Sequence, residues 1–83
     1  MSAKKILVVD DETDLEILIK QKFRKEIRKK EYEFFFAING KDALEFHKDN
    51  EVDLILLDVG LPDMSGFDLL RKVREKSNIP VII

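Results

Sequence analysis

The sequence predicts an α/β domain built on a parallel sheet with helices packed on its faces. Three observations lead there. Short apolar runs recur at residues 6–9, 54–57 (with Val52 before them) and 80–83, and such runs fit strands buried on both faces. Between them lie segments whose apolar residues repeat at helical spacing. The resulting order, strand–helix three times and then strand, is that of parallel strands joined by crossover helices.

Each element has its own local signal. Residues 6–9 form the first strand, which runs into Asp10-Asp11-Glu12. Residues 14–30 carry Leu15, Leu18, Ile19, Phe23 and Ile27 on one helical stripe. Thr13 and Asp14 suit a cap there, and Glu16 lies three residues after Thr13, the spacing of a capping box. Residues 32–38 are aromatic and strand-like until Asn39-Gly40 breaks the run. A helical pattern (Ala43, Leu44, His47) follows instead of a hairpin return. Residues 52–58 make the next strand. A helix over 65–76 follows, with Ser65 as its cap and Phe67, Leu70 and Val73 on one stripe. Residues 80–83 open a fourth strand. No repeat, low-complexity segment or internal linker interrupts residues 1–83, which read as one domain.

Composition narrows the class. With 83 residues, 45% apolar and 39% charged, the chain reads as a small soluble domain. Its apolar runs fall far short of the roughly 20 residues that span a bilayer. The start resembles no signal peptide, so a cytoplasmic protein without membrane association is expected. Absence of cysteine excludes disulfides and thiolate metal sites. A net charge of −2 gives no case for nucleic acid. Charge is uneven, however: residues 20–30 carry seven basic side chains against one acid, Glu26. That face is either solvated, the preferred reading, or a surface for phosphates or an acidic partner. His47, without a second ligand nearby in sequence, reads as packing or surface, and Phe34, Phe35 and Phe36 as strand residues.

The acids carry the chemistry. Asp10, Asp11 and Asp58 all fall at carboxyl ends of strands, where ligands of open parallel sheets sit. Three carboxylates in one pocket repel unless a cation joins them. Only oxygen ligands are on offer, which selects Mg²⁺ or Mn²⁺ over zinc. Magnesium bridges carboxylates to phosphate oxygens, so phosphoryl transfer is the chemistry suggested. Asp58 also begins the series Asp58-x-x-x-Pro62-x-x-x-Gly66. Taken singly, these residues are ordinary caps and loop punctuation; at this spacing they agree with one another.

Three segments in order, VVDDE, YEFFFAINGKDALE and DLILLDVGLPDMSGFDLLRKVRE, resemble the receiver domain of two-component response regulators. The resemblance covers essentially the whole chain. It implies a flavodoxin-like sheet with helices on both faces and strand order 2-1-3-4. Asp58 then matches the phosphoacceptor, which takes a phosphoryl group from a sensor histidine kinase or phosphotransfer protein. Asp11 matches a direct Mg²⁺ ligand and Asp10 its acidic companion acting through water. The Gly60 carbonyl matches the third protein ligand, completing a metal set of Asp10, Asp11, Asp58 and Gly60. Gly60 is further expected to leave the face of Asp58 open, and Pro62 and Gly66 to shape the loop. Such a domain is a phosphoacceptor, not an enzyme.

The chain departs from that family's pattern after residue 83. A complete receiver adds the end of the fourth strand and a helix–strand–helix, with a switch Ser/Thr, a phosphate-contacting Lys and a switch aromatic. A fourth strand left as an open edge predicts self-association through Val81, Ile82 and Ile83, a homo-oligomer. An assembly fragment of this kind, without signalling, is the alternative function; a fragment of a longer regulator is the other explanation. A hydrolase with a phosphoaspartate intermediate fits poorly, because Asp10 is followed by Asp11, Glu12 and Thr13.

Overall fold

β1 (Lys4–Val9) is the hub of the computed structural model, which describes residues 3–83. The first two residues of the expected 1–83 domain lie outside the described residues. After β1 come α1 (Asp14–Lys22), α2 (Arg24–Arg28), β2 (Tyr32–Ala37), α3 (Gly40–Asp49), β3 (Leu54–Leu57), α4 (Gly66–Arg74) and β4 (Val81–Ile82). The strands form one sheet in the order β2-β1-β3-β4, all neighbours parallel. Fold class and strand order are those expected.

Alternation along the strands divides the core between two faces. Leu7, Val9, Ile55 and Leu57 point to one face and pack with Ala43 of α3 and Leu69 and Val73 of α4. Val8 and Leu56 point to the other, toward Leu15 and Ile19 of α1. The first face is the tighter. Leu7, Val9 and Leu69 are each only 1% exposed, whereas α1 and α2 bury no residue completely.

Helix ends explain most departures from expectation. The expected helix over 14–30 is divided at Phe23, whose backbone (φ −103°, ψ 23°) leaves helical geometry. The N–H of Phe23 still donates to Ile19 and its carbonyl accepts from Ile27, each at 2.9 Å, so direction is kept. The distortion seats the Phe23 ring against Phe34 and Tyr32, at centroid distances of 5.3 and 6.0 Å. The capping box does not form. Thr13 is itself helical (φ −67°, ψ −26°) and its side chain caps nothing. Leu18 and Ile17 of α1 are exposed, so the buried stripe is narrower than the spacing implied.

α2 closes in a Schellman turn. Glu31 N–H donates to Glu26 and Lys30 N–H to Ile27, at 2.8 and 3.0 Å, which places Lys30 in the left-handed region at φ 59°, where glycine is usual. Ser65 caps α4 as expected, its hydroxyl accepting from the Asp68 N–H at 3.1 Å. Phe67, however, is exposed; the buried stripe runs through Gly66, Leu69 and Val73. Asn39, read in sequence as a strand breaker, is the N-cap of α3, its side chain accepting from Asp42 N–H at 2.8 Å.

Candidate functional site

Backbone pairing brings the acids together. β1 and β3 run in step, Val9 beside Leu57, so the next residues, Asp10 and Asp58, leave the sheet side by side. Both are anchored there: Asp58 N–H donates to the Val9 carbonyl at 2.9 Å and Asp10 N–H to Ala37 at 3.0 Å. Asp10, Asp11 and Asp58 each offer a carboxylate oxygen, and these oxygens lie within 4.8 Å of one another. Asp10 and Asp58 are half-buried and Asp11 is exposed.

Local hydrogen bonds orient two of the three. Asp10 Oδ1 accepts from the Glu12 N–H at 2.9 Å, folding the chain after β1 into a tight turn. Asp58 Oδ1 accepts from the Gly60 N–H at 3.0 Å. In each case the carboxylate bonds two residues onward, the short-range pattern that Asp favours in turns. The site thus presents oxygen donors on rigid strand ends, a set that suits a hard divalent cation. Gly60, expected to leave the face of Asp58 open, donates its N–H to that carboxylate, and a Cβ there would stand 3.8 Å from Asp58 Oδ1, an ordinary contact. His47 is half-buried on α3, with Nδ1 unpartnered, and has no part in the cluster.

The loop after β3 is held by a contact that sequence reading missed. Asp63 accepts from the Gly40 and Lys41 N–H groups, at 2.7 and 2.9 Å. It therefore ties the Pro62 loop to the first turn of α3. Those donors, Gly40 foremost and then Lys41, hold its carboxyl below the usual carboxylate value. The native pKa is depressed, so this stabilisation is complete above the ordinary carboxylate pKa near 4 and is lost as pH falls through the folded value. The melting-temperature gap between wild type and Asp63→Ala is accordingly expected to be constant near neutrality and to close in acid. A gap independent of pH would contradict it.

Gly66 brings α4 up to the acidic strand end. Its N–H donates to Val59 at 3.0 Å. A Cβ at Gly66 would meet the Val59 Cα at 2.7 Å and the Asp58 carbonyl oxygen at 2.8 Å, both backbone atoms. Gly66 thus shapes the loop through backbone approach.

Comparisons with known proteins agree with this geometry. The chain matches the response regulator receiver domain over residues 6–83. It is similar to the response regulator TrrA of Thermotoga maritima, solved in complex with Mg²⁺-BeF, at 34% identity and TM-score 0.81, covering 96% of this chain and 67% of that one. In a second structure, of the histidine kinase ThkA in complex with TrrA, the match has 34% identity and TM-score 0.80 over 94% of this chain and 65% of the other. A CheY-like receiver domain protein of Methanospirillum hungatei matches at 32% identity and TM-score 0.83, over 96% and 62% respectively. The chain therefore spans about two thirds of the length of these relatives. Family match, sheet order and clustered acids converge, and the chain belongs to the receiver domains of two-component response regulators.

Proposed function

We propose that Asp58 accepts a phosphoryl group from a phosphohistidine on a sensor histidine kinase, in a Mg²⁺-dependent reaction, and that the domain is a phosphoacceptor and not an enzyme. The observation that carries this reading is the meeting of three carboxylates from two strand ends within 4.8 Å. The relative TrrA has been solved with Mg²⁺-BeF and also with its histidine kinase, which supports both the ion and the partner.

Asp10, Asp11 and Asp58 would hold the ion, with the Gly60 carbonyl added by family resemblance. Mg²⁺ supplies charge neutralisation for the carboxylates and for the phosphoryl oxygens. The remaining chemistry belongs to the chain. An Asp58 carboxylate oxygen attacks phosphorus in line; the P–O bond forms as the P–N bond breaks, and the imidazole leaves as the neutral base once protonated. The Gly60 N–H on Oδ1 fixes the plane of the carboxylate, which removes a rotational freedom that would otherwise oppose attack.

Intact mass after incubation with Mg²⁺ and acetyl phosphate tests the proposal. One phosphoryl adduct, mapped to Asp58 and absent in EDTA, is expected. No adduct, or one that forms equally in EDTA, would overturn it.

A second reading, self-association of the 83-residue chain, is favoured by the sheet's β4 edge. Ile82 and Ile83 are each 55% exposed, and a shallow apolar groove of about 270 Å³ runs from Ile82 past Leu56 and Val8 to Leu15 and Ile19. Light scattering over a concentration series on the same sample decides it: mass rising with concentration is expected, and a monomer throughout refutes it.

A further inference from the structure

The opposite edge of the sheet carries a surface that phosphoryl transfer does not use. β2 has β1 on one side and, among the described residues, no strand on the other. Lys4 N–H donates to the Glu31 carbonyl and Asp10 N–H to the Ala37 carbonyl, each at 3.0 Å. With the register unbroken from Lys4–Tyr32 to Val9–Ala37, a regular parallel ladder turns the odd-numbered residues of β2 toward β1. The backbone N–H and C=O groups of Tyr32, Phe34 and Phe36 therefore face outward, a template for another strand.

The same three residues also send their rings to the α1–α2 face. Tyr32 and Phe34 lie 6.1 Å apart, Phe34 and Phe36 6.4 Å, with Phe23 completing the ladder; all four are only half-buried. Above them runs one helix face bearing Lys20, Arg24 and Arg28, joined by Lys30 from the turn. Together with Tyr32 and Phe34 these cations line a groove of about 780 Å³, whose one acidic lining residue is Glu33. Lys20 pairs with Glu16 and stands 5.7 Å over the Phe36 ring. Arg24, Arg28 and Lys30 form no ion pair among the described residues.

We propose that this edge docks an extended acidic segment of a partner protein, which adds to β2 as a further strand. Main-chain bonds go to Tyr32, Phe34 and Phe36. On the groove side, where side chains recur at every second residue, an apolar residue rests on the aromatic floor and its acidic neighbours two positions away meet Arg24, Arg28 and Lys30. Addition of a strand to a free edge uses backbone pairing for affinity and alternate side chains for selectivity. Charge chooses the occupant. A second copy pairing through β2 would set four cations against four, whereas an acidic strand is steered in and held. A single-stranded nucleic acid would use the cations but leave the outward amides unpaired. The proposal is independent of Asp58 and stands or falls apart from the phosphoacceptor reading.

Selection from a display library of random peptides against the wild-type chain and against Arg24→Gln/Arg28→Gln tests it. A folded variant is verified by its amide spectrum, and Arg24→Lys/Arg28→Lys serves as the charge-retaining control. Expected are peptides with acids alternating about an apolar residue, bound about tenfold more weakly by the Gln variant and largely restored by the Lys variant. Titration of the best peptide should shift the amides of Tyr32, Phe34 and Phe36. No acidic enrichment, equal binding to wild type and Gln variant, or shifts mapping elsewhere would overturn the proposal. Tighter binding of oligothymidylate than of any selected peptide would likewise overturn it, in favour of nucleic acid.

Discussion

Asp58→Asn is expected to melt above the wild type in EDTA and below it in Mg²⁺. Three carboxylates with oxygens within 4.8 Å repel one another when no cation joins them. Removing one charge relieves repulsion on the order of 1 kcal/mol, since the site is part-exposed and salt screens it. The amide oxygen of asparagine can still accept from the Gly60 N–H, so the turn is kept. Saturation with Mg²⁺ reverses the order. A ligand at a hundred times its Kd stabilises the folded state by about 2.7 kcal/mol, and the variant forfeits most of that. Asp11→Asn should cross in the same way. Thermal melts of the three proteins, with EDTA and along a Mg²⁺ series, provide the check. If wild-type melting is indifferent to Mg²⁺, the cluster is no cation site.

Gly66→Ala is the second large effect, and it acts through backbone. The added methyl has nowhere to go: Val59 Cα at 2.7 Å and the Asp58 carbonyl at 2.8 Å belong to the chain segment that carries the site. Either α4 retreats, loosening Leu69 and Val73, or the strand end moves. Overpacking of this kind costs about 1–3 kcal/mol, and the displaced Asp58 should weaken Mg²⁺ binding as well. Gly40→Ala is the natural contrast. The three atoms nearest its methyl would all belong to the Met64 side chain, the closest at 2.5 Å, and a flexible thioether can move aside. Urea denaturation should therefore separate the two variants, with Gly66→Ala much the less stable. Equal midpoints would show that the close approach of α4 to β3 carries no weight.

Legibility in the sequence followed how local each cause was. Three of the four apolar runs ended at a turn or at acids, and all four runs became parallel strands, because strand burial leaves a largely apolar signature. Asp10, Asp11 and Asp58 were legible as a cluster for a related reason: strand ends in a parallel sheet share one side. Strand order itself came from family resemblance, since periodicity says nothing of which strand neighbours which. The unread features were matters of tertiary contact. Asp63 carried no signal of its own in the sequence, because its partners are amides 22 and 23 residues away. Phe23 fitted a helical stripe, yet its ring settles among those of β2. Leu18 matched the same stripe and is 59% exposed, since spacing identifies a face without fixing how much of it is covered. Asn39 carried a readable signal, a cap residue three positions before Asp42, that its glycine neighbour obscured.

The central place of β1 has a consequence for how the chain comes to be folded. Lys4 pairs with Tyr32 and Ile6 with Leu54, so the hub strand precedes both partners and waits for them during synthesis. Until β2 emerges, Ile-Leu-Val-Val is an unpaired apolar tract of high strand propensity, and until β3 follows it keeps one open edge, the kind that seeds intermolecular pairing. It is bracketed by Lys4 and Lys5 on one side and by Asp10, Asp11 and Glu12 on the other. Flanking charges of this sort act as gatekeepers against aggregation. The acids that converge at the sheet's end in the native state thus guard its most vulnerable segment while the polypeptide is still incomplete.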